Sequence, residues 1–267
     1  MKKYVCFFKL RFAAGLQYRM ASVTALTTQL IWGLMECLAY KAIAEASGGS
    51  LPMDYSSIVT YIWLKEAMLV LFNTWAADND LFAMIANGNI AYELCRPVSI
   101  YSMWFSRTTG ARIAEAVMRC IPVLGCAFLM PKAYRMTLPV DGAAFLLFLL
   151  TSFLALGITV AFCMIVYMLC FFTISPQGFR MVLTGAVDFL SGNIIPLPFF
   201  PKKFLFLVEM SPFAYMQNVP FRIYSGDLVG GEIYQCILKQ VFWLAALMCM
   251  GVALWKQAEK RIVIQGG

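Results

Sequence analysis

The sequence predicts an all-α integral membrane protein with six transmembrane helices. Of its 267 residues, 61% are hydrophobic and only 13% are charged, whereas soluble domains carry about 25% charged residues. Residues 142–179 contain no Asp, Glu, Lys or Arg, and a helix needs about 20 apolar residues to cross a bilayer. The apolar runs are continuous rather than alternating, which favours helices over a closed barrel.

Several kinds of chemistry are excluded by residue type. The chain has no histidine, which removes Ser-His-Asp triads and His-ligated metal sites. Its nine cysteines form no C-x-x-C pair and lie mostly in apolar runs, so neither a metal site nor a disulfide framework is expected. No phosphate-binding G-x-x-x-x-G-K-[ST] loop is present. The net charge of +7 is attributed to the cytoplasmic flanks of membrane helices, and no nucleic-acid partner is expected.

Residues 1–19 are predicted to form an interfacial helix on the cytoplasmic leaflet. Basic side chains alternate here with Phe and Leu, so the basic groups can face lipid phosphates while the apolar ones enter the membrane surface. An ordinary positively charged flank of the first span is the alternative. Residues 20–267 then form the six-span domain.

The first two spans are predicted at about 20–42 and 55–76, separated by the helix breaker Ser-Gly-Gly-Ser-Leu-Pro. Span one contains Glu36, and span two contains Lys65 and Glu66. Each charge costs about 2.5–3.5 kcal/mol at the centre of a membrane helix. Span two is therefore only marginally stable in lipid by itself, and we expect its charges to face protein.

Residues 77–110 form a polar connection, which we expect in the cytosol. Residues 81–86 can form one or two helical turns before Asn-Gly-Asn, and Pro97 disfavours helix at Arg96. The connection is too long for a turn and too short for a domain, and long connections of this kind are usually functional.

Spans three and four are predicted at about 111–130 and 142–172, with prolines in the loop between them. Arg112, Glu115 and Arg119 fall on one face of span three. Span four is longer than a bilayer requires, so it should tilt or protrude, or be followed by a short second helix.

Span five is predicted at about 179–195, with Asp188 near its middle, and span six at about 234–255. Three prolines between them forbid a continuous helix: Pro196, Pro198 and Pro201. Residues 204–224 are apolar but interrupted by Glu209, Pro212 and Pro220. We expect a re-entrant or interfacial hairpin on the outer face. Lys and Arg are more numerous on the flanks that this topology places inside, with both termini in the cytoplasm.

Four short segments now point to a family. Residues 92–98, YELCRPV, resemble the YELLRP segment of one branch of the ABC-2-type exporters, and residues 191–201, SGNIIPLPFFP, resemble that branch's SGxLIPLPFFP. Residues 220–228, PFRIYSGDL, and the terminal QGG at 265–267 also agree. The resemblance covers essentially the whole chain.

The resemblance implies the membrane subunit, or permease, of an ATP-driven exporter in a prokaryotic plasma membrane. Such a subunit is not itself an enzyme, because ATP and Mg are bound by a separate cytosolic ATPase. That partner is held through the loop after span two, which acts as a coupling helix. A second permease, identical or similar, and membrane lipids are the other expected partners. Substrates of the wider family include lipids, glycans, peptides and drugs.

Three groups of residues are candidate sites. The residues expected to couple to the ATPase, unless this is an ordinary solvated loop, are Leu81, Phe82, Ile85, Tyr92, Glu93, Arg96 and Pro97. The intramembrane charges, either structural ion pairs or part of the transport path, are Glu36, Lys65, Glu66, Arg119 and Asp188. By depth, Glu36 should lie near Lys65, and Arg119 near Asp188. The candidate outer gate, or a plain membrane anchor, contains Pro196, Pro198 and Pro201.

Two other classes of function are alternatives. An ion-coupled secondary transporter often shows internal repeats, and none is visible between the halves of this chain. A membrane-embedded lipid-modifying enzyme needs a clustered catalytic set, and no recurrent motif of that kind occurs.

Overall fold

A computed structural model describes residues 2–17, 19–74, 78–87, 89–173 and 176–260. Within these ranges the chain is helical and contains no strand. Two 3₁₀ helices occupy Leu197–Phe199 and Pro212–Tyr215. The α-helices in chain order are α1 (Lys2–Gly15), α2 (Arg19–Ala46), α3 (Tyr55–Ala67), α4 (Leu69–Phe72), α5 (Asn79–Ala86), α6 (Ala91–Leu94), α7 (Ile100–Leu129), α8 (Gly142–Cys170), α9 (Pro176–Leu190), α10 (Lys202–Glu209), α11 (Asn218–Tyr224) and α12 (Gly231–Glu259).

In the part of the chain that the structure describes, four helices are long enough to cross a bilayer, for which about 20 residues suffice. They are α2, α7, α8 and α12, with 28, 30, 29 and 29 residues. Among the described residues, two of them also have a sufficiently apolar stretch with few charges, namely α8 and α12. Most of α8 is buried in the protein, whereas the apolar stretch of α12 is largely exposed. The number of six spans stays a prediction.

Spans two and five differ from their predicted bounds. The predicted second span ran to residue 76, but α3 ends at Ala67 and Met68, with φ −101° and ψ 12°, separates it from α4. The predicted fifth span ran to residue 195, but α9 has 15 residues, or about 22 Å. Gly192, at φ +83°, turns the chain after α9 in a conformation that favours glycine.

The third span begins earlier than predicted. Helix α7 starts at Ile100 rather than near residue 111, so it takes in the end of the polar connection. Tyr101 and Trp104 are buried there, and Trp104 packs against Trp255 of α12 with ring centroids 6.4 Å apart. Packing of these large side chains extends the helix beyond the stretch that hydropathy selects.

The core is built around α8. Tyr167 of α8 contacts Trp104 of α7, and Gly157 of α8 allows Leu244 of α12 to approach closely. Helix α1 lies along α7, where a Cβ at Gly110 would stand 2.7 Å from the carbonyl oxygen of Phe8. The predicted N-terminal helix is therefore present and is held on α7 by close backbone contact.

The region predicted as a hairpin is a series of short helices. Pro201 precedes α10 and Pro212 starts the second 3₁₀ helix, positions where a missing N–H costs little. Helix α11 is buried: Phe221 packs on Tyr61 of α3 with ring centroids 5.3 Å apart, and Tyr224 packs on Phe148 of α8 at 5.1 Å. The prolines therefore divide the segment into helices instead of excluding helix, and α11 belongs to the core.

Candidate transport cavity and coupling segment

A three-residue ion cluster joins α2 to α3. The Lys65 ammonium donates hydrogen bonds to both carboxylate oxygens of Glu36 and lies 3.4 Å from a carboxylate oxygen of Glu66. The Lys65 side chain is only 6% exposed, and burial of a lone ammonium would be costly. The expected proximity of Glu36 and Lys65 is therefore present, with Glu66 as a second anionic partner.

This cluster lines a cavity of about 700 Å³, which we call the chamber. Its walls come from α2, α3, α4, α7 and the turn after α9, so residues far apart in sequence meet here. Four of the five predicted intramembrane charges line it. The lining residues are Ala25, Thr28, Gln29, Trp32, Glu36, Lys65, Glu66, Leu69, Arg119, Asn193 and Ile194.

The chamber also contains unpaired polar atoms. Gln29 is 3% exposed and its side-chain amide donates a hydrogen bond to the carbonyl oxygen of Glu66 at 3.0 Å. Its other polar atom, Oε1, has no hydrogen-bond partner among the described residues, and neither does Nε of Arg119. Both atoms are fully buried, so they lie within the wall of the chamber and not on the surface that a bound molecule would contact.

The expected pairing of Arg119 with Asp188 is wrong. Arg119 lies 3.6 Å from Glu115, one turn earlier on α7, and the Asp188 carboxylate is hydrogen-bonded to the backbone of Thr74. Equal depth was the basis of the expected pair, but a pair also requires that both side chains point toward each other. Glu115 was noted in the sequence only as a neighbour on the same face, and the i, i+4 spacing could have identified it.

An apolar stripe on α2 runs beside the chamber. Ile31, Trp32, Met35, Leu38 and Ile43 are all about half exposed, and their spacing places them on one side of the helix. Trp32 belongs both to the stripe and to the chamber wall. The chamber is therefore bordered by a surface that, in a membrane, faces lipid or another protein.

The coupling segment, residues 78–98, begins with a capped helix. The Asp78 carboxylate accepts a hydrogen bond from the backbone N–H of Asp80 at 3.0 Å and caps α5. The backbone N–H of Asp78 donates to the hydroxyl of Tyr167 at 2.7 Å. The predicted short helix is thus present and is attached directly to α8.

Two predicted coupling residues face inward. Leu81 and Phe82 are buried, and the Phe82 ring contacts Tyr167 at 4.8 Å while the Arg180 guanidinium lies 4.7 Å from its centroid. The apolar side of α5 is therefore used inside this chain and is not free to fill a groove on an ATPase. Ile85 is half-buried.

The exposed part of the segment comes later. Tyr92 is 78% exposed, and Arg96 and Pro97 are also exposed. Glu93 is buried and lies 3.5 Å from Arg96, whose guanidinium also lies over the Phe7 ring of α1 at 5.9 Å. Of the predicted coupling residues, Tyr92, Arg96 and Pro97 are accessible to a partner.

An ionic network ties the coupling segment to α1 and α7. Asp78 lies 2.9 Å from Arg107 of α7 and 3.7 Å from Arg11 of α1, and Asp80 lies within 3.6 Å of the same two arginines. Burial raises the pKa of Asp78 above its usual value, and the positive charge of Arg11 opposes that rise. The network couples any displacement of α5 to both neighbouring helices.

Arg112 is the buried residue whose role the sequence did not reveal. Its Nη1 donates to the carbonyl oxygens of Val70 at 3.0 Å, Leu71 at 3.3 Å and Asn73 at 2.6 Å. These groups lie at the C-terminal end of α4, where carbonyls lack helical partners and the helix dipole is negative. An arginine on an otherwise buried face of α7 is the sequence signal that could have identified this contact.

A second cavity, of about 350 Å³, lies between the coupling segment and α7. We call it the vestibule. Its lining is largely polar and includes the buried Thr108, whose hydroxyl has no partner among the described residues. The lining residues are Arg11, Val70, Asp78, Asn79, Thr108, Ala111, Arg112 and Glu115.

The predicted gate prolines lie in and around a short 3₁₀ helix packed on α2: Pro198 is within it, and Pro196 and Pro201 lie on either side. Pro196 is buried, Pro198 half-buried and Pro201 exposed. Phe199, within that 3₁₀ helix, contacts Tyr40 of α2 at 5.2 Å, and the hydroxyl of Tyr61 donates to the carbonyl oxygen of Gly192 at 3.0 Å. These contacts hold the segment against α2 and α3, and a gating role stays a prediction.

A comparison with protein families identifies a family for most of the chain. A family model described as "ABC-2 family transporter protein" matches residues 25–266. The match begins within α2 and includes the chamber and the coupling segment, but not α1 and its Arg11, which lines the vestibule. The terminal Gln-Gly-Gly of the sequence analysis lies outside the described residues. Among curated proteins, no sequence matches this chain.

Proposed function

Because this chain belongs to the ABC-2 family of transporter proteins, we propose that it is the permease subunit of an ATP-driven exporter. Family membership makes it a membrane protein and a transporter component rather than an enzyme, and implies an ABC ATPase as its partner. Export, the binding of ATP and Mg by that partner, and a location in a prokaryotic plasma membrane with cytoplasmic termini are parts of the proposal.

The chamber is the observation that carries the proposal. Charged side chains are costly within lipid and usually mark a path for polar molecules or pair with each other. Here four charged residues line one cavity: Glu36, Lys65, Glu66 and Arg119. A structural ion cluster alone would not require about 700 Å³ of space beside it.

A second permease, identical or similar, would complete this path. Trp32 lines the chamber and also belongs to the half-exposed apolar stripe on α2. Packing of a second chain on the stripe would cover the apolar side chains and enclose the chamber between two subunits. Membrane lipids would cover the remaining apolar surface, above all the exposed face of α12.

We assign ATPase docking to the exposed C-terminal part of the coupling segment, residues 92–97. Tyr92, Arg96 and Pro97 are exposed, and exposed aromatic and arginine side chains are the types enriched at interface hot spots. Phe82 and Asp78 attach the segment to α8 and α7. In this arrangement the docked ATPase contacts one side of the segment and the permease core holds the other.

The experiment is purification of the tagged chain from its native membrane. We expect an ABC-class ATPase to copurify and its ATP hydrolysis to rise when the permease is present in liposomes. Tyr92→Asp should lower the recovered ATPase several-fold without changing the thermal stability of the permease. Arg96→Glu should lower the recovered ATPase as well, although it also removes the contact of Arg96 with the buried Glu93. Lys132→Glu, in an exposed loop far along the chain, is the matched control and should retain the partner.

Two other results would contradict parts of this proposal. A stable wild-type chain that neither retains nor stimulates an ATPase contradicts the permease assignment. Normal ATPase retention by both Tyr92→Asp and Arg96→Glu contradicts only the docking surface.

A further inference from the structure

The chamber and the vestibule are neighbours. Leu69 lines the chamber and Val70, the next residue of α4, lines the vestibule. On α7, Arg119 lines the chamber and Glu115, one turn away, lines the vestibule. The two cavities are therefore separated by no more than about one helical turn along both α4 and α7.

An ion pair stands at this boundary. Glu115 and Arg119 are 3.6 Å apart, with side chains 44% and 20% exposed. Glu115 lines the vestibule and Arg119 lines the chamber, so the pair lies across the boundary. At this separation and with partial exposure the attraction is modest, which suits a contact that must open and close.

The two cavities also offer complementary surroundings. The vestibule is lined mainly by charged and polar side chains, beginning at Asp78 and Asn79 of the coupling segment. The chamber adds Trp32, Leu69 and Ile194 to its charged groups. A molecule with a polar head and an apolar tail would find polar partners along both cavities and apolar contact at the chamber wall.

We propose that the vestibule and the chamber are consecutive parts of one route for the charged head group of an amphipathic substrate, with the Glu115–Arg119 pair as the barrier between them. The inference rests on the proposed transport function. An anionic head group that takes the place of Glu115 beside Arg119 keeps the arginine paired as it passes, while the partly exposed Glu115 carboxylate turns to water. In the chamber, the Arg119 guanidinium and the cluster of Glu36, Lys65 and Glu66 are the charged groups along its path.

The test measures access from the cytoplasmic side to Leu69→Cys in the chamber. Inside-out vesicles are treated with a membrane-impermeant maleimide, and mass spectrometry reads each labelled cysteine separately, so the native cysteines remain. With the pair intact, labelling should be slow. With Glu115→Ala or Arg119→Ala it should be about two- to fivefold faster, the change expected when one partly exposed ion pair is lost. The charge-swapped pair, Glu115→Arg with Arg119→Glu, should restore slow labelling.

Ala111→Cys, in the vestibule, is the matched control and should be labelled at one rate in every background. Fast labelling of Leu69→Cys with the pair intact, or equal rates in all backgrounds, overturns the barrier. Retention of the ATPase is scored in the same vesicles. A preparation that keeps the ATPase but shows no effect of the pair rejects only this inference, whereas loss of the ATPase from the wild type rejects the transport assignment.

Discussion

The guanidinium of Arg112 donates a hydrogen bond to the carbonyl oxygen of Asn73 at 2.6 Å, and the arginine is only 3% exposed. Nη1 of the same side chain also reaches the carbonyl oxygens of Val70 and Leu71. A helix that ends inside a protein needs donors for its last carbonyls. Arg112 supplies them from α7, so the end of α4 depends on a residue about 40 positions later.

Arg112→Met should destabilise the protein. An unsatisfied buried acceptor costs about 1–3 kcal/mol, and this substitution removes the donor to three of them. We expect a clear drop in the thermal unfolding temperature in detergent, with Arg112→Lys intermediate because one ammonium cannot reproduce the geometry of the guanidinium. Lys132→Met, at an exposed position, should leave that temperature unchanged. A stable Arg112→Met protein would show that the carbonyls find other partners.

A double-mutant cycle should show that Glu36 and Lys65 stabilise the fold as a pair. Lys65→Met leaves two carboxylates in the chamber without their shared cation, and breaking a buried pair costs about 3–5 kcal/mol. Removing a charge from both sides, with Glu36→Gln and Lys65→Met together, should recover part of the lost stability. Thermal unfolding of the two single variants and the double variant measures the coupling. Additive losses would mean that the two residues stabilise the fold independently.

Gly110 should be essential for docking of α1. Its ideal Cβ would stand 2.7 Å from the carbonyl oxygen of Phe8, so Gly110→Val must push the backbone of α1 away from α7. We expect faster proteolysis of the N-terminal 15 residues and a lower unfolding temperature. Gly125→Val on the same helix is the matched control, because a Cβ there meets nothing within 4 Å. Equal protease resistance of the two variants would contradict the close packing.

Substitutions of Phe82 and Tyr92 should affect different properties, the first the stability of the permease and the second its binding of the ATPase. Phe82 is buried and contacts Tyr167, and Phe→Ala changes in cores cost about 3–5 kcal/mol. Phe82→Ala should therefore lower the unfolding temperature, whereas Tyr92→Ala should leave it unchanged and reduce ATPase retention. Both quantities are measured on the same purified samples. Loss of stability in Tyr92→Ala would place that side chain inside the permease and not at an interface.

The raised pKa of Asp78 predicts a pH dependence. Because burial raises this pKa in the folded state, the native protein binds the proton more readily than the unfolded chain, and the contribution of Asp78 to stability falls as pH rises through the raised pKa. Asp78→Asn keeps an α5 cap and removes the titration. The unfolding temperature of the wild type relative to Asp78→Asn should therefore decrease as the pH rises from the ordinary aspartate pKa of about 4 through the raised pKa. A constant or increasing difference would contradict the assigned shift.

Several elements could be predicted because one property decides them. The absence of charge from residue 142 onward predicted α8, which begins at Gly142. The breaker pattern before Tyr55 and the short apolar run after Asp80 likewise predicted the start of α3 and the presence of α5. The extension of α7 back to Ile100 was missed, since it depends on buried contacts of Tyr101 and Trp104 that hydropathy does not record.

The contacts among the candidate residues could be predicted only in part. Depth in the membrane follows from position along a helix, and it correctly brought Glu36 near Lys65. The direction of a side chain around the helix axis does not follow from depth, so Arg119 was paired with Asp188 although it faces Glu115. The apolar side of α5 raised the same difficulty, because Leu81 and Phe82 could have faced a partner but pack inside the chain.

From its residues alone, this chain can be inferred to be helical, apolar enough for a membrane and a member of a transporter family. Those properties depend on composition, local pattern and short motifs, all of which are present in the linear order of residues. The tertiary structure decided which charges meet, where the chamber and vestibule lie, and that Arg112 closes the end of α4. Such contacts join helices far apart in sequence, and their geometry is fixed only when packing sets the rotation of each helix against its neighbours.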